Sequence, residues 1–403
     1  MEFKMTPQKL MIALFTIVLL AVPITTAALP KLERSENENR TLAKFPKLVN
    51  ESKWDKAQSL SDYIGAVRWD YIAERKNNSY MDDIETYFSD HLAGREAWVV
   101  ASNSMERLTG KQEINGVVTV DDKMIQVFKE YDKEEVQASL DAMSGFAQRH
   151  SDVPMYFMLA PTAQEMMINR LPSYAGYLSQ KSFIDECYKN VEGITTIDCL
   201  SYLSGHSDEY IYYRTDHHWT SLGAFYGYNA AAKTLGFSAY GMNSFNIETA
   251  STSFRGTLYS KTLDSSITPD TIDYYHLASG EPSVKMTVNT GFGTEEYDSL
   301  YVREFLSQKD KYSSFTGSNQ PIVTIETDVD NGKSLLMIKD SYAHSLVPFL
   351  SKHYSKITMV DMRYINVGLE YFLDVDEYSQ VMFMYNAVSF SEDSSVQLLK
   401  FSE

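Results

Sequence analysis

The sequence predicts an α/β fold with a central, mostly parallel sheet. Over residues 114–403, short β-rich runs alternate with amphipathic segments of helical periodicity. The clearest case is the stretch 333–361, where the apolar run 335–338 is followed by a helical segment and by a second apolar run at 357–360. This pattern is typical of two parallel strands joined by a helix. Because ligands bind beyond the carboxyl ends of such strands, Ser341 occupies the position expected of a reactive group.

The amino-terminal segment predicts export. Residues 10–29 form an uncharged apolar run, preceded by Lys4 and Lys9. About 20 apolar residues can cross a bilayer, and the preceding lysines favour an N-terminus that stays in the cytoplasm. We favour residues 1–30 as an uncleaved, single-pass anchor with the rest of the chain outside. A cleaved signal peptide is the alternative, since residues 26–28 are small, although no A-x-A triplet is present.

Residues 31–113 are predicted to form a linker and a helical extension. The first part, 31–60, is polar and of mixed charge, as in exposed linkers. From about residue 55 to residue 108 the periodicity becomes helical. Apolar residues spaced by three or four positions there predict one apolar stripe on a helix face, formed by Tyr80, Ile84, Tyr87, Phe88 and Leu92.

The remaining residues, 114–403, are predicted to form the α/β domain. One helix is expected between Trp219 and Gly236, and another over 341–354. The predicted strands are 153–161, 193–200, 209–215, 321–327, 333–340, 356–362 and 380–388.

Charge and cysteine content exclude some classes of function. The 403 residues include 36 Lys and Arg against 54 Asp and Glu, a formal net charge of −18. Such a chain repels phosphate backbones, so we expect no nucleic-acid partner. Cys187 and Cys199, twelve positions apart, match no zinc spacing and no redox pair. One disulfide in an exported protein and two buried free thiols both fit them, and we expect no cofactor.

Two segments, YRTDHHWT at 213–220 and IKDSYAHSL at 338–346, carry the residues of a nucleophilic site. A serine hydroxyl needs a base within hydrogen-bond reach and a carboxylate that orients the base. Asp216 and His218 lie two positions apart just after a predicted strand, so one loop can present both. We therefore predict Ser341 as nucleophile, His218 as base and Asp216 as the orienting acid.

The TDHHWT segment resembles the motif that names the DHHW family. That family is similar to the alginate O-acetyltransferase proteins AlgX and AlgJ and, more broadly, to SGNH or GDSL hydrolases. The resemblance implies Asp216 and His218 as acid and base, and the KDSY segment as the nucleophile block with Ser341. It also implies the three-layer sandwich of SGNH hydrolases around the central sheet.

Further blocks extend the resemblance over most of the chain beyond the anchor. In ordinary SGNH hydrolases the serine block comes first, whereas here the acid and base precede the serine. This permuted order resembles that of the alginate-acetylation proteins. The additional matching blocks are 38–46, 87–95, 254–261, 309–319 and 360–363.

An oxyanion hole is the third requirement of such a site. The backbone N–H of Ser341, at the start of a predicted helix, is one natural donor. Gly317 to Asn319 resemble the Gly-x-Asn block of SGNH enzymes, which makes Asn319 the side-chain candidate, although such triplets are more often turns. Arg255 and Gly256 form a second candidate loop.

Other residues near the two segments have competing interpretations. Trp219 is expected to pack beneath the loop rather than stack on a sugar, and Tyr342 to line the pocket. Arg363 fits either a substrate contact or an ion pair, with the ion pair favoured. His344 is a second choice of base because no carboxylate lies near it in sequence. His217 suggests a metal, but no further ligands recur at suitable spacing, so we predict no metal.

The resulting hypothesis is serine-dependent acetyl transfer outside the cytoplasm, onto hydroxyls of a cell-surface polymer or exopolysaccharide. Family resemblance, rather than any residue here, implies a membrane-bound O-acyltransferase partner that supplies acyl groups. Two alternatives stay open: a carbohydrate esterase that uses water as the acceptor, and an inactive surface-binding protein.

Overall fold

The computed structural model describes residues 6–73, 79–291 and 293–401. The chain divides into two compact units, with the division between Lys111 and Gln112. Each unit contains its own helices and strands, and the second contains both segments that were singled out in the sequence.

The first unit begins with α1 (Pro7–Ala28). Thr6 caps this helix by accepting a hydrogen bond from the Lys9 N–H, and a proline occupies its first turn. By length and composition α1 can cross a membrane, and only 6% of its apolar window is buried. The other elements of this unit are β1 (Arg34–Ser35), β2 (Arg40–Thr41), α2 (Glu51–Trp54), α3 (Leu60–Ala66), α4 (Trp69–Ile72), α5 (Tyr80–Asp90) and α6 (Arg95–Leu108).

Local chemistry fixes the ends of the helices in this unit. Ser59 and Ser79 each close a capping box at the start of α3 and α5. Asp90, at the end of α5, is buried and pairs with Arg40, while Arg95 pairs with Glu38. These ion pairs link the β1–β2 hairpin to the α5–α6 turn.

The second unit is built on an eight-stranded sheet within the described residues. Its strand order is β11-β10-β12-β14-β13-β15-β6-β7. The strands from β14 to β7 are parallel, and β10, β11 and β12 add an antiparallel edge. The strands of this unit are β3 (Glu113–Ile114), β4 (Val117–Val120), β5 (Lys123–Gln126), β6 (Met155–Ala160), β7 (Thr195–Thr196), β8 (Phe245–Phe254), β9 (Asp270–Leu277), β10 (Val284–Asn289), β11 (Thr294–Tyr297), β12 (Ile322–Thr327), β13 (Ser334–Lys339), β14 (Lys356–Val360) and β15 (Gln380–Asn386).

Helices cover both faces of this sheet, as in a three-layer sandwich. Alternate side chains of β13 point to opposite faces: Leu335 and Met337 join one apolar cluster, and Leu336 and Ile338 join another. The first cluster includes α11 and α13, and the second includes α7, α9 and α14. The helices are α7 (Lys133–Arg149), α8 (Ala163–Met166), α9 (Gln180–Asn190), α10 (Cys199–Ser204), α11 (Ser221–Leu235), α12 (Thr257–Thr262), α13 (Ala343–Leu350) and α14 (Ala387–Glu392).

The predicted α/β fold with a mostly parallel sheet is confirmed, and two predicted strands are corrected. The segment 193–200 holds only the two-residue β7 before α10 begins at Cys199. The segment 209–215 is a loop with one isolated bridge, between Tyr212 and Trp219. The buried Asp270 carboxylate accepts hydrogen bonds from the N–H groups of Arg214 and Thr215, so these groups do not pair with a strand.

Several elements were not predicted from the sequence. These are the β8–β9 hairpin, which provides Asp270, the small β3–β4–β5 sheet and the β10–β11 edge. Cys187 and Cys199 are both buried and free, so the structure contains no disulfide between them.

Candidate active site

Ser341 lies just beyond the carboxyl end of β13, two residues before α13 begins. The preceding carboxylate holds the turn that carries it. Asp340 Oδ1 accepts the Tyr342 N–H at 2.8 Å, and Oδ2 accepts the N–H and the side-chain amide of Asn386 at 2.8 and 2.6 Å. Burial raises the pKa of Asp340 above the usual aspartate value. Ser341 itself is 9% exposed, so the rest of the site is built around a nearly enclosed hydroxyl.

The loop that contains Asp216, His217 and His218 places an imidazole beside the Ser341 hydroxyl. His218 Nε2 lies 2.6 Å from Ser341 Oγ, and Nδ1 lies 2.5 Å from Asp216 Oδ1. Burial opposes ionisation of Asp216, but the His218 and His217 rings and hydrogen bonds outweigh it and hold the pKa of this carboxyl well below its usual value. An ionised carboxylate only accepts, so Nδ1 of His218 carries the proton and Nε2 is free to accept the Ser341 proton.

Thr257 secures the second oxygen of the carboxylate. Its backbone N–H and its hydroxyl donate to Asp216 Oδ2 at 2.8 and 3.0 Å. His217 Nδ1 lies 2.6 Å from the same hydroxyl oxygen and donates to it, because the hydroxyl proton is already given to Asp216. Burial, and next the neighbouring His218, lower the pKa of His217 to about 3, so its ring is neutral.

Tyr312 and Trp219 connect the loop of His218 to the turn of Ser341. The Tyr312 ring stacks on the imidazole with centroids 3.7 Å apart and planes 9° from parallel. Its hydroxyl donates to the Ser341 carbonyl oxygen at 3.0 Å. The Trp219 indole donates to the Tyr342 carbonyl oxygen at 3.1 Å and to Ser345 Oγ at 2.8 Å. Each of these two side chains therefore joins the loop that carries His218 to the turn that carries Ser341.

Asn319 belongs to a second polar cluster beside the turn that carries Ser341. Its Oδ1 accepts a hydrogen bond from Lys339 Nζ at 3.2 Å and lies 2.9 Å from His344 Nε2. Lys339 is fully buried and pairs with Asp361, which also takes a bidentate contact from Arg363. The Lys339 ammonium can only donate, so we assign the Asn319 amide with its oxygen towards the lysine, which leaves Nδ2 as a donor for another partner.

His344 is held within the same cluster and is kept neutral. Its Nδ1 lies 2.5 Å from Thr316 Oγ1, and its Nε2 lies 2.9 Å from Lys339 Nζ. Burial, and next the Lys339 charge, lower the pKa of His344 well below the ordinary histidine value. The structure thus gives His344 no contact with Ser341 Oγ among the described residues, and its ring nitrogens are already engaged.

A family model described as DHHW protein matches residues 133–360, which include Asp216, His218 and Ser341. This chain belongs to the DHHW family. No curated protein matches its sequence significantly.

Two of the similar solved structures, the first two below, share the fold of this DHHW protein. A DHHW family protein from Eubacterium siraeum superposes with a TM-score of 0.63 at 27% identity, covering 71% of this chain and 95% of its own. Bacillus cereus PatB1, solved with a sulfonyl adduct, gives 0.60 at 20% identity, covering 71% and 100%. The O-acetyltransferase domain of Pseudomonas putida AlgJ matches with a TM-score of 0.44 at 14% identity, covering 71% and 98%.

Three candidates for substrate contact in this DHHW protein lie in other positions. Trp219 and Tyr342 are fully buried, the latter with its hydroxyl on the His217 carbonyl oxygen, so both lie beneath the site. The Arg255 guanidinium donates to the carbonyl oxygens of Ile267 and Ser265, which turns it towards the segment before β9. For Trp219 this is the packing role favoured from the sequence.

Gly256 is also corrected as an oxyanion donor. Its N–H donates to Thr215 Oγ1 at 3.1 Å and is not available to a ligand. A Cβ at this position would lie 2.2 Å from Asp216 Oδ2. The glycine is therefore required by the close approach of the backbone to the carboxylate.

Two further candidates are the Ser341 N–H, for the oxyanion site, and Arg363, for an ion pair. Within the described residues the Ser341 N–H donates no hydrogen bond. Arg363 forms the ion pair with Asp361 that was favoured over a substrate contact, with its side chain 35% exposed.

Asp216, His217 and His218 offer three ligand atoms within 4.8 Å of one another. A cation there would have to break the hydrogen bonds of Asp216 to His218 and Thr257.

Sequence reasoning missed Tyr312, Thr257, Lys339 and Asp361. Lys339 had a signal, because a lysine in an otherwise apolar central strand must find a buried partner. Tyr312 and Thr257 had none, since their partners lie 29 to 41 positions away in sequence.

Proposed function

We propose that this protein is an extracytoplasmic serine enzyme that transfers an acyl group, most simply acetyl, to hydroxyl groups of a cell-surface polymer or exopolysaccharide. The observation that carries the proposal is the continuous hydrogen-bonded chain from Ser341 through His218 to Asp216. Membership of the DHHW family supports it. The assignment of catalytic roles to these three residues is part of the proposal.

The proposed reaction has two balanced steps. Ser341 Oγ attacks the acyl carbonyl carbon and gives its proton to His218 Nε2, and the leaving group departs with that proton as acetyl-serine forms. A sugar hydroxyl then attacks the acetyl-serine and gives its proton to His218, which returns it to Ser341 Oγ. Asp216 stabilises the imidazolium formed in both steps.

Each tetrahedral intermediate needs donors for its oxyanion. The Ser341 N–H and Asn319 Nδ2 are the proposed pair. The Ser341 N–H donates no hydrogen bond to any described residue, and Nδ2 is left free to donate by the contact of Oδ1 with Lys339. One well-placed donor contributes about 3 kcal/mol to such a transition state. Asn319→Ala is therefore expected to lower kcat about a hundredfold.

The chain contains two compact units, and we propose a different role for each part of it. We propose residues 114–403 as the catalytic domain, 31–113 as an extension and 1–30 as the membrane segment. The exposed, apolar α1 supports an anchor that keeps the catalytic domain outside. An acyl donor would then have to be supplied across the membrane, which fits a membrane-bound O-acyltransferase partner.

Acetate release from a chromogenic acetyl ester tests the nucleophile. Ser341→Ala should abolish it, whereas Ser334→Ala, at the other end of β13, should leave it unchanged. A fluorophosphonate probe should label wild type and not Ser341→Ala. Unchanged turnover in Ser341→Ala would remove this serine from the mechanism, and absence of labelling in the wild type would favour the inactive binding protein.

A second measurement separates a transferase from an esterase. Acetate release is compared with and without an oligosaccharide acceptor, while acetylation of the oligosaccharide is followed by mass spectrometry. A transferase diverts acetyl groups from water to the sugar. Hydrolysis that is unaffected by the acceptor would indicate the carbohydrate esterase instead.

A further inference from the structure

The face of α6 that carries Trp98, Ala101, Met105 and Leu108 has no partner among the described residues. These positions are three and four apart, so they form one stripe along the helix. Trp98, Met105 and Leu108 are 49%, 63% and 83% exposed, and α6 contains no buried residue. We call this stripe the α6 apolar face. The apolar face of an amphipathic helix is normally packed against other residues. Within the described residues of the first unit, the α6 apolar face stays exposed.

The start of α6 is joined to the end of α1. The Ala93 N–H, two positions before α6, donates to Thr26 Oγ1 at 3.0 Å, and Thr26 is buried although it belongs to the last turn of α1. A 22-residue helix spans about 33 Å, so Thr26 comes at the outer edge of a bilayer core if α1 crosses it. The first turn of α6, with Trp98, is then also at that edge.

Charge and tryptophan usage in this unit fit a lipid surface. Residues 1–111 contain 15 Lys and Arg against 15 Asp and Glu, so the net charge of −18 comes from residues 112–403. A neutral unit is not repelled by anionic lipids. Trp54, Trp69 and Trp98 are exposed in this unit, whereas Trp219 is buried in the other. Tryptophan is enriched where membranes meet water.

We infer that the α6 apolar face lies in the outer interfacial layer of the bilayer that α1 crosses. This inference rests on the proposed anchor and is independent of the proposed chemistry. In this arrangement Trp98, Met105 and Leu108 insert among lipid headgroups and acyl chains, while Glu96 on the opposite side of α6 faces water. Unit 1 is then held at the membrane along a helix and not only by a tether.

The test uses the full chain reconstituted in phosphatidylcholine vesicles that contain brominated lipid. Met105→Cys is labelled with an environment-sensitive fluorophore, and Glu96→Cys is the matched control on the other face of the same helix. Cys187 and Cys199 are buried, and the unsubstituted chain measures any labelling of them. We expect blue-shifted emission and bromine quenching at position 105, and neither at position 96.

Three outcomes overturn the inference. Release of the protein by carbonate removes its premise, the anchor, without bearing on the serine chemistry. A retained protein with an unquenched probe at 105, or with stronger quenching at 96, shows that α6 stands away from the lipid. Disulfide formation between unlabelled Met105→Cys copies, with no quenching, would assign the face to a second copy of the chain.

Discussion

Trp219, which follows His218, donates a hydrogen bond from its indole to the carbonyl oxygen of Tyr342, which follows Ser341. The same indole reaches Ser345 Oγ. One buried side chain therefore fixes the spacing between the loop that carries the proposed base and the turn that carries the proposed nucleophile.

Trp219→Phe removes this donor and leaves two buried acceptors without it. We expect a loss of about 1–3 kcal/mol in the free energy of unfolding and a fall in kcat larger than any rise in KM. Urea unfolding and ester hydrolysis measure the two effects. Trp98→Phe is the control, because its indole bond to Ala93 is exposed and its loss should leave both quantities nearly unchanged.

Gly256→Ala should disable the site through sterics alone. The new Cβ would fall within 2.5 Å of Asp216 Oδ2 and Cγ, so the carboxylate or the α12 turn must move. We expect loss of turnover with the global fold retained, measured by hydrolysis and circular dichroism. Gly65→Ala in α3, where no atom lies within 4 Å of the added Cβ, should behave as wild type.

Asp216→Asn and Thr257→Val should give graded losses. The amide removes the charge that orients and stabilises His218, and we expect kcat to fall by about three to four orders of magnitude. Thr257→Val removes one of two donors to Asp216 Oδ2 and keeps the backbone N–H, so a fall of about tenfold is expected. Equal effects of the two variants would contradict this division of roles.

His218→Asn and His344→Asn separate the two candidate bases. Loss of His218 should lower kcat by about a thousandfold or more, because Ser341 then has no acceptor for its proton. His344→Asn disturbs the contacts of Asn319 and Lys339 and should retain far more activity. The rate of fluorophosphonate labelling is measured for both variants. Faster labelling of His218→Asn than of His344→Asn would assign the role of base to His344.

Stability should fall in acid because of His353. Burial, and next the Lys333 and Lys352 charges, lower the pKa of this ring to about 4, against about 6.5 in the unfolded chain. Between these values the unfolded chain binds a proton that the folded chain does not, so the free energy of unfolding decreases as pH falls.

His353→Gln tests the origin of that slope. The glutamine can still accept from the Tyr228 hydroxyl, which lies 2.7 Å from His353 Nε2, but it does not titrate. We expect a shallower loss of stability between about pH 6.5 and pH 4 in urea unfolding. An unaltered slope would assign the acid sensitivity to other groups, such as His217.

The sequence could indicate those parts of the site that depend on residues close together in the chain. The β13-α13-β14 pattern placed Ser341 at a strand end, and the two-residue spacing of Asp216 and His218 allowed one loop to present both. The same logic failed at 209–215, where aromatic and β-branched residues resemble a strand but Asp270, from a distant hairpin, takes the backbone N–H groups.

Residues that act through distant partners escaped prediction. Arg255 and Gly256 were grouped as one loop from their adjacency, yet the guanidinium turns to the segment before β9 and the glycine backbone turns to Asp216. Tyr312 was missed because its stacking on His218 depends on how segments tens of residues apart meet. Lys339 had a local signal as a lysine in an apolar strand, but that signal did not identify its partner, Asp361. The roles of Ser341, His218 and Asp216 in catalysis remain a prediction for the experiments above.

The last strand among the described residues, β15, lies between β13 and β6, and its final residue, Asn386, holds Asp340 next to Ser341. Until residues 380–386 have been synthesised, β13 and β6 have no strand between them to pair with, and the parallel sheet stays in two parts. A chain cut short before β15 by a late stop codon would therefore carry Ser341, His218 and Asp216 and still lack the strand and the Asn386 contact that hold the Ser341 turn in place.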